Sequence, residues 1–125
     1  MKTNQSTPVL IIGKNGTLGR AFAKVCEDRC IDYHLLSRQD CDITKKEQVN
    51  SIIEQYKPWA LINAAGYVRV DDAEKESEKC FAENSEGPLN LAVACNQNNI
   101  QLVTFSSDLV FDGKKKTPYT ENDIP

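Results

Sequence analysis

The sequence predicts a doubly wound α/β domain built on a parallel sheet, and three observations lead to that fold class. Short apolar runs alternate with amphipathic segments, as expected of parallel strands joined by crossover helices. Three glycines spaced three apart follow the first apolar run, in VLIIGKNGTLGR. The turn-forming residues SSD follow the last one. We therefore expect one domain over residues 1–125, an incomplete Rossmann-type sheet of about four strands in the order 3-2-1-4.

The first strand and helix are the clearest elements. Val9–Ile12 is a continuous apolar run, which is typical of a parallel strand covered on both faces. A helix follows from about Thr17, and apolar residues recur along it at the spacing of one buried stripe. That stripe consists of Leu18, Ala21, Phe22 and Val25.

The second unit begins with a short strand, Tyr33–Leu36. The sequence Thr44–Glu47 matches a capping box, in which the threonine and glutamate side chains satisfy backbone groups at the start of a helix. The predicted helix continues through a second apolar stripe and ends before Pro58. The stripe consists of Val49, Ile52, Ile53 and Tyr56.

The rest of the chain predicts two more strands around a long helical region. Ala60–Ile62 is the third strand, and the acidic residues 71–74 suit a helix N-terminus. The helical region reaches about Cys95 with a kink or break near Pro88. Gln101–Phe105 is the fourth strand, and the last twenty residues or so are loop. An exposed fourth strand is an open sheet edge, so we expect a homodimer through that edge or marginal stability.

Composition narrows the function classes. The formal net charge of −3 and the pI of about 5.2 argue against a general nucleic-acid or membrane binder. The basic run 114–116 suits a solvated loop tip. The first eight residues are polar, unlike a signal peptide, and five cysteines without a paired spacing suggest reduced thiols in the cytoplasm. Cys26 and Cys30 lie one helical turn apart, but we expect core thiols and no metal site.

The glycine loop predicts a dinucleotide site. Glycines at the end of a buried strand allow a sharp turn and a close approach of backbone to a ligand, and the next helix points its free N–H groups there. A tight strand-to-helix turn without a ligand is the alternative. The spacing is GxxGxxG, and no Gly-Lys-Ser/Thr ends it as in a nucleotide-triphosphate loop. The predicted cofactor contacts are Gly13, Asn15, Gly16, Thr17, Leu18 and Gly19.

The end of the second strand bears on the choice of dinucleotide. The acidic residue usual at this place is missing, and Ser37 and Arg38 stand there instead. A guanidinium attracts a ribose 2′-phosphate, so NADP(H) is favoured while NAD(H) stays compatible. A free surface charge at Arg38 is the alternative. Asp42 and Ile43 follow in the loop, where they could border the adenine.

Three further stretches resemble one family. They are DIT at Asp42–Thr44, INAAGYVRVDDAE at Ile62–Glu74 and FSSDLVFDGKKKTPYTENDIP at Phe105–Pro125. Together with the glycine loop they resemble the extended short-chain dehydrogenase/reductases, in particular the dTDP-4-dehydrorhamnose reductase branch. The resemblance runs from Val9 to Pro125, and VFDG with PYTE is its most specific part.

The resemblance implies a role for individual residues. It places Ser107 where the family keeps a catalytic Ser/Thr that hydrogen-bonds the carbonyl being reduced. A serine that merely closes a strand is the alternative, because SSD is also good turn chemistry. Asp108 falls at a substrate-side position and Asn84 at a family asparagine. The further cofactor contacts it implies are Asp42, Ile43, Ala64, Ala65, Gly66, Tyr67 and Ser106.

The chain also departs from the family pattern. Val68 and Leu109 stand where the family has threonine and tyrosine. Family catalysis uses a Tyr-x-x-x-Lys pair as proton donor, and no tyrosine of this sequence has a lysine four residues later. We therefore expect the N-terminal portion of a longer reductase, without the substrate-binding part and inactive alone.

Three functions are consistent with these residues. The favoured one is the cofactor-binding portion of an NADP(H)-dependent reductase of a nucleotide-linked 4-keto-6-deoxysugar. The second is a non-catalytic dinucleotide-binding regulatory subunit, resembling the β subunit of methionine adenosyltransferase. The third is a nucleotide-sugar epimerase or dehydratase.

Overall fold

Residues 7–125 are described by a computed structural model, which contains a four-stranded parallel sheet between layers of helix. The strands are β1 (Val9–Ile12), β2 (Tyr33–Leu36), β3 (Ala60–Asn63) and β4 (Gln101–Thr104). The helices are α1 (Thr17–Asp28), α2 (Lys46–Tyr56), α3 (Val70–Ala73), α4 (Ser77–Phe81) and α5 (Gly87–Gln97). A π-helical turn (Ala82–Glu86) joins α4 to α5, and a 3-10 turn (Asp108–Val110) follows β4.

The parallel α/β fold class is confirmed, but the predicted strand order is wrong. The order is β2-β1-β3-β4, so the third strand lies beside the first and not outside the second. The burial of residues in β2 and β3 explains why the observed strand order differs from the predicted one. Ala60 and Leu61 of β3 are almost fully buried and need a strand on each side, whereas His34 of β2 is exposed and tolerates an edge. The chain therefore reverses direction across the sheet between β1 and β3, where open α/β sheets bind ligands.

Two hydrophobic clusters cover the two faces of the sheet. The cluster on one face joins α2 and α5 to alternate residues of the strands, with Leu10, Leu61 and Leu91 completely buried. The cluster on the other face joins α1 to Val9, Ile11 and Ala60. The stripe predicted for α2 is confirmed, since Val49, Ile52 and Ile53 are all buried. β4 forms an edge of the sheet, as predicted.

The stripe predicted for α1 is wrong. Leu18 and Val25 are 41% and 46% exposed, and the buried residues of this helix are Gly19, Ala23 and Cys26. Small side chains face the sheet because α1 lies very close to the end of β1. A Cβ added to Gly19 would lie 2.2 Å from the carbonyl oxygen of Gly13.

The predicted capping box is also wrong. α2 begins one residue later than it requires, with Lys45 as N-cap and no side-chain cap. The Thr44 hydroxyl instead donates to Asp42 Oδ1 at 2.8 Å, and the Thr44 N–H donates to the same oxygen at 3.0 Å. These local bonds hold the loop before α2 and orient the Thr44 hydroxyl toward Asp42, outside the N-cap position of the helix.

The helical region between β3 and β4 is interrupted, as predicted, but at two places. Its first break separates α3 from α4 at residues 74–76, and the second is the π-helical turn before Pro88. Within residues 7–125, no helix is long and apolar enough to cross a bilayer.

Replacing Gly19 with alanine is expected to destabilise the fold by about 2–3 kcal/mol, because its new methyl group would overlap the backbone of Gly13. Gly16→Ala is the matched control. A Cβ there would lie 3.4 Å from the same oxygen and φ is −88°, so the expected loss is below about 1 kcal/mol. Urea unfolding followed by circular dichroism measures both. Equal losses for the two variants would contradict the close packing of α1.

Candidate functional site

The segments singled out from the sequence meet along the edge of the sheet that is formed by the carboxyl ends of its strands, and not along the outer strands β2 and β4. The residues after β1, β2, β3 and β4 all lie at the carboxyl ends of parallel strands. Backbone hydrogen bonds tie three of these ends together. The Gly13 N–H donates to Leu36 O at 3.0 Å, and the Ala64 N–H donates to Ile12 O at 2.8 Å. The glycine loop is therefore held between the loops that follow β2 and β3.

The glycine loop is a narrow backbone cradle. Gly13 has a φ of +119°, a conformation that side chains disfavour, and a Cβ there would lie 2.7 Å from Ala64 O. Gly16 is the N-cap of α1 and provides no side-chain cap, and the first turn of the helix holds no acidic residue. Asn15, Thr17 and Leu18 are exposed around this turn.

The start of α1 has the chemical properties of an anion site. The first N–H groups of a helix lack intrahelical partners, and here no side chain caps them. An anion at this position would be stabilised by those N–H groups and by the helix dipole. The positive end of α1 also lies at the sheet reversal between β1 and β3, the place where open α/β sheets bind ligands.

The loop after β3 is shaped by two asparagines. Asn63 is 3% exposed; its Nδ2 donates to Thr104 Oγ1 at 3.2 Å and its Oδ1 accepts from the Ala65 N–H at 3.2 Å. Asn84, on the π-helical turn, accepts from the Tyr67 N–H at 2.7 Å and donates to Tyr67 O at 3.0 Å. Sequence reasoning assigned no role to Asn63, although a polar residue ending an apolar strand was the available signal.

Tyr67 follows this loop, and its hydroxyl bonds to the residue at the start of α4. The side chain is 8% exposed, and Oη donates to Glu76 Oε2 at 2.5 Å. That hydrogen bond, with burial, raises the pKa of Tyr67 to about 12. The hydroxyl is thus committed to the segment before α4, and the backbone of Tyr67 is the part nearest Gly66.

The turn after β2 carries a network of opposite charges. Arg38 Nη1 donates to Glu83 Oε1 at 2.5 Å, and Nη2 donates to Asp42 Oδ2 at 3.3 Å. The Glu83 carboxylate raises the pKa of Arg38. Arg38 is therefore not the free surface charge considered as an alternative. Glu83 was not predicted from the sequence, because it lies 45 residues away from its partner.

Asp42 and Ile43 lie next to each other but differ in accessibility. Asp42 is partly buried, and although burial opposes it, hydrogen bonds from Thr44 and the nearby Arg38 lower the pKa of its carboxyl. Ile43 is 5% exposed within the core, and its carbonyl accepts from Asn90 Nδ2 at 3.0 Å. The Ile43 side chain packs toward Gly87, where a Cβ would lie 2.6 Å from it.

The residues after β4 complete the edge. Ser106, Ser107 and Asp108 are all exposed. Ser107 Oγ accepts from the Leu109 N–H at 3.2 Å and caps the 3-10 turn. This bond uses a lone pair of the hydroxyl and leaves its proton for donation to another group. Both predicted roles of Ser107, in turn chemistry and as a donor, are therefore compatible in one side chain.

The motif VFDG with PYTE builds a loop of its own. The rings of Phe111 and Tyr119 stack with centroids 4.3 Å apart, and Tyr119 Oη donates to Asp112 Oδ1 at 3.0 Å. Lys115 Nζ pairs with Asp123 at 2.5 Å, so the basic run predicted as a solvated tip is partly tied down. Within residues 7–125, no three His, Cys, Asp or Glu side chains cluster as metal ligands.

Comparisons with known proteins agree on one family. The family model described as the RmlD substrate binding domain matches residues 7–125. The dTDP-4-dehydrorhamnose reductase of Aggregatibacter actinomycetemcomitans is 41% identical over 117 residues, covering 93% of this chain and 40% of that protein. The chain thus spans about two fifths of the length of the curated relatives it matches.

Solved structures give the same picture. A dTDP-4-dehydrorhamnose reductase of Clostridium acetobutylicum superposes with a TM-score of 0.88 at 37% identity, covering 94% of this chain and 42% of that one. The dTDP-4-dehydrorhamnose reductase of Bacillus anthracis, solved in complex with NADP, superposes with a TM-score of 0.82 at 33% identity over 88% of this chain and 40% of that one.

Asn84→Ala is expected to release the loop after β3 and to lower stability by about 1–2 kcal/mol, because two backbone groups of Tyr67 lose their partner. Amide hydrogen exchange at Tyr67 should accelerate at the same time. Asn50→Ala, an exposed position of α2, is the matched control and should change neither. Unchanged exchange at Tyr67 in Asn84→Ala would show that the asparagine does not hold the loop.

Proposed function

Because the chain belongs to the RmlD substrate binding domain family, we propose that it is the dinucleotide-binding portion of an NADP(H)-dependent reductase. The substrate of the whole protein would be a nucleotide-linked 4-keto-6-deoxysugar. Relatives named dTDP-4-dehydrorhamnose reductase, one of them solved with NADP, support this proposal. We assign the activity to the cytoplasm, because both reactants, NADPH and the nucleotide-linked sugar, are water-soluble nucleotides.

One observation carries the proposal. The uncapped start of α1 and the hydroxyl of Ser107 lie at the same edge of one parallel sheet. A dinucleotide held by its pyrophosphate at α1 can extend along that edge toward the loop after β4. The same edge therefore provides an anion site and a hydrogen-bond donor, which a carbonyl reductase requires.

Each segment of the edge has a role in this proposal. The bound dinucleotide supplies the hydride that reduces the carbonyl. Gly13, Gly16 and the first N–H groups of α1 hold the pyrophosphate, and residues 64–66 line the cofactor beyond it. Ser107 donates its hydroxyl proton in a hydrogen bond to the carbonyl oxygen, where negative charge develops. Asp108, next to it, is positioned to contact the sugar.

Two exposed apolar residues favour a second function. Val68 is 83% exposed and Leu109 is 65% exposed, both close to the loops of this edge. Apolar side chains there supply no hydrogen bonds to a sugar. A dinucleotide-binding subunit without catalysis would tolerate them. The whole protein distinguishes the two functions, since a reductase contains a Tyr-x-x-x-Lys pair and a non-catalytic subunit lacks it.

Gly16→Asp is expected to change stability and cofactor binding in opposite directions. The φ and ψ of −88° and 160° suit an N-cap aspartate, which should stabilise α1 by about 0.5 kcal/mol. The same carboxylate would occupy the N–H groups and repel the pyrophosphate, so NADPH affinity should fall at least about tenfold. Urea unfolding and NADPH fluorescence titration measure the two effects, with Gly16→Ala as control. Full NADPH affinity in Gly16→Asp would contradict the proposed site.

The 125-residue chain is expected to bind NADPH without turnover. Its tyrosines, Tyr33, Tyr56, Tyr67 and Tyr119, have Ser37, Ala60, Asp71 and Asp123 four residues later, so none forms the Tyr-x-x-x-Lys pair that donates the proton. Absorbance at 340 nm with a dTDP-linked 4-keto-6-deoxysugar follows the reaction, and a full-length family reductase is the positive control. Sustained NADPH oxidation by the chain alone would contradict the assignment of the proton donor.

A further inference from the structure

The turn after β2 has one guanidinium among three carboxylates. Arg38 contacts Glu83 and Asp42, and the nearby Asp40 accepts from both the Ser37 N–H at 2.7 Å and Ser37 Oγ at 2.6 Å. These are the donors that the end of the second strand offers to the ribose of a dinucleotide. Each of these donors already bonds to a carboxylate of the chain itself.

The three carboxylates differ in what else they do. Asp40 closes the turn through Ser37, and Asp42 holds Thr44 in the same loop, so both have structural roles. Glu83 comes from the π-helical turn, a separate element, and within residues 7–125 its carboxylate bonds to Arg38 alone. Its contact is also the shorter one, at 2.5 Å against 3.3 Å for Asp42.

In the Arg38–Glu83 ion pair, the Glu83 side chain is the more restricted of the two. The Glu83 side chain is 14% exposed, whereas the Arg38 side chain is 56% exposed. The adjacent Asn84 anchors the π-helical turn to the backbone of Tyr67. A 2′-phosphate approaching Arg38 therefore meets a carboxylate that is held in place and already bonded to Nη1, and like charges repel.

We propose that Glu83 sets the dinucleotide selectivity of this chain by competing with a ribose 2′-phosphate for Arg38. Glu83 lowers the preference for NADPH over NADH, because NADPH has to displace or share the ion pair while the 2′-hydroxyl of NADH does not. Glu83 is thus a specificity-determining residue outside the glycine loop. The inference rests on the proposed dinucleotide-binding function and adds the residue that tunes it.

The test compares Kd values for NADPH and NADH in the wild-type chain and in Glu83→Gln, which keeps the side-chain shape and removes the charge. The ratio of NADH Kd to NADPH Kd should rise by about three- to tenfold, mostly through tighter NADPH binding. Glu86→Gln, an exposed glutamate of the same π-helical turn, removes the same net charge and should leave the ratio unchanged. In Arg38→Ala, adding Glu83→Gln should give a much smaller gain.

The outcomes separate the inference from the proposed function. An unchanged ratio in Glu83→Gln, or an equal gain in Glu86→Gln, would overturn the role of Glu83 while leaving dinucleotide binding intact. A lower ratio would overturn it as well, since Glu83 would then be holding Arg38 for the phosphate. Failure of the folded wild-type chain, checked by circular dichroism, to bind either dinucleotide would overturn the proposed function and this inference together.

Discussion

The structure depends on how closely the start of α1 approaches the end of β1. Gly19 packs against the carbonyl of Gly13, and Gly13 in turn packs against Ala64 at the end of β3. These contacts leave no space for a Cβ, and they bring a helix N-terminus to the reversal point of the sheet. A larger residue at Gly19 would push α1 away from Gly13, and one at Gly13 would push the loop away from Ala64, so either would disturb the cradle.

The π-helical turn between α4 and α5 links the loops that flank this cradle. Consecutive residues of the turn bond different loops, Glu83 to Arg38 after β2 and Asn84 to Tyr67 after β3. π-helical turns are uncommon and concentrate at functional sites. Here one wide turn carries both the neutral amide that bonds the Tyr67 backbone and the carboxylate that pairs with Arg38.

The sequence predicted the elements well because they depend on local pattern. Val9–Ile12 and the α2 stripe are as buried as their apolar residues indicate. Prediction failed where long-range packing decides which residues are buried. In α1, small residues face the sheet although Leu18 and Val25 are more apolar. The place of β3 beside β1 and the partnership of Arg38 with Glu83 likewise join residues far apart in the chain. The motif VFDG with PYTE is the most specific part of the family resemblance, yet its side chains mostly contact each other.

The two parts of the candidate cofactor site depend on different kinds of group. The cradle uses backbone N–H groups, whose positions follow from the fold and change little with any single exposed side chain. The other part consists of Arg38 and Asp42 after β2 and Glu83 on the π-helical turn, charges whose balance one substitution can shift without moving the sheet. In the proposed site, binding of the pyrophosphate and selection between NADPH and NADH would therefore depend on separate residues. In the proposed site, a substitution at residue 83 would change selectivity while Gly13, Gly16 and Gly19 keep the same backbone geometry.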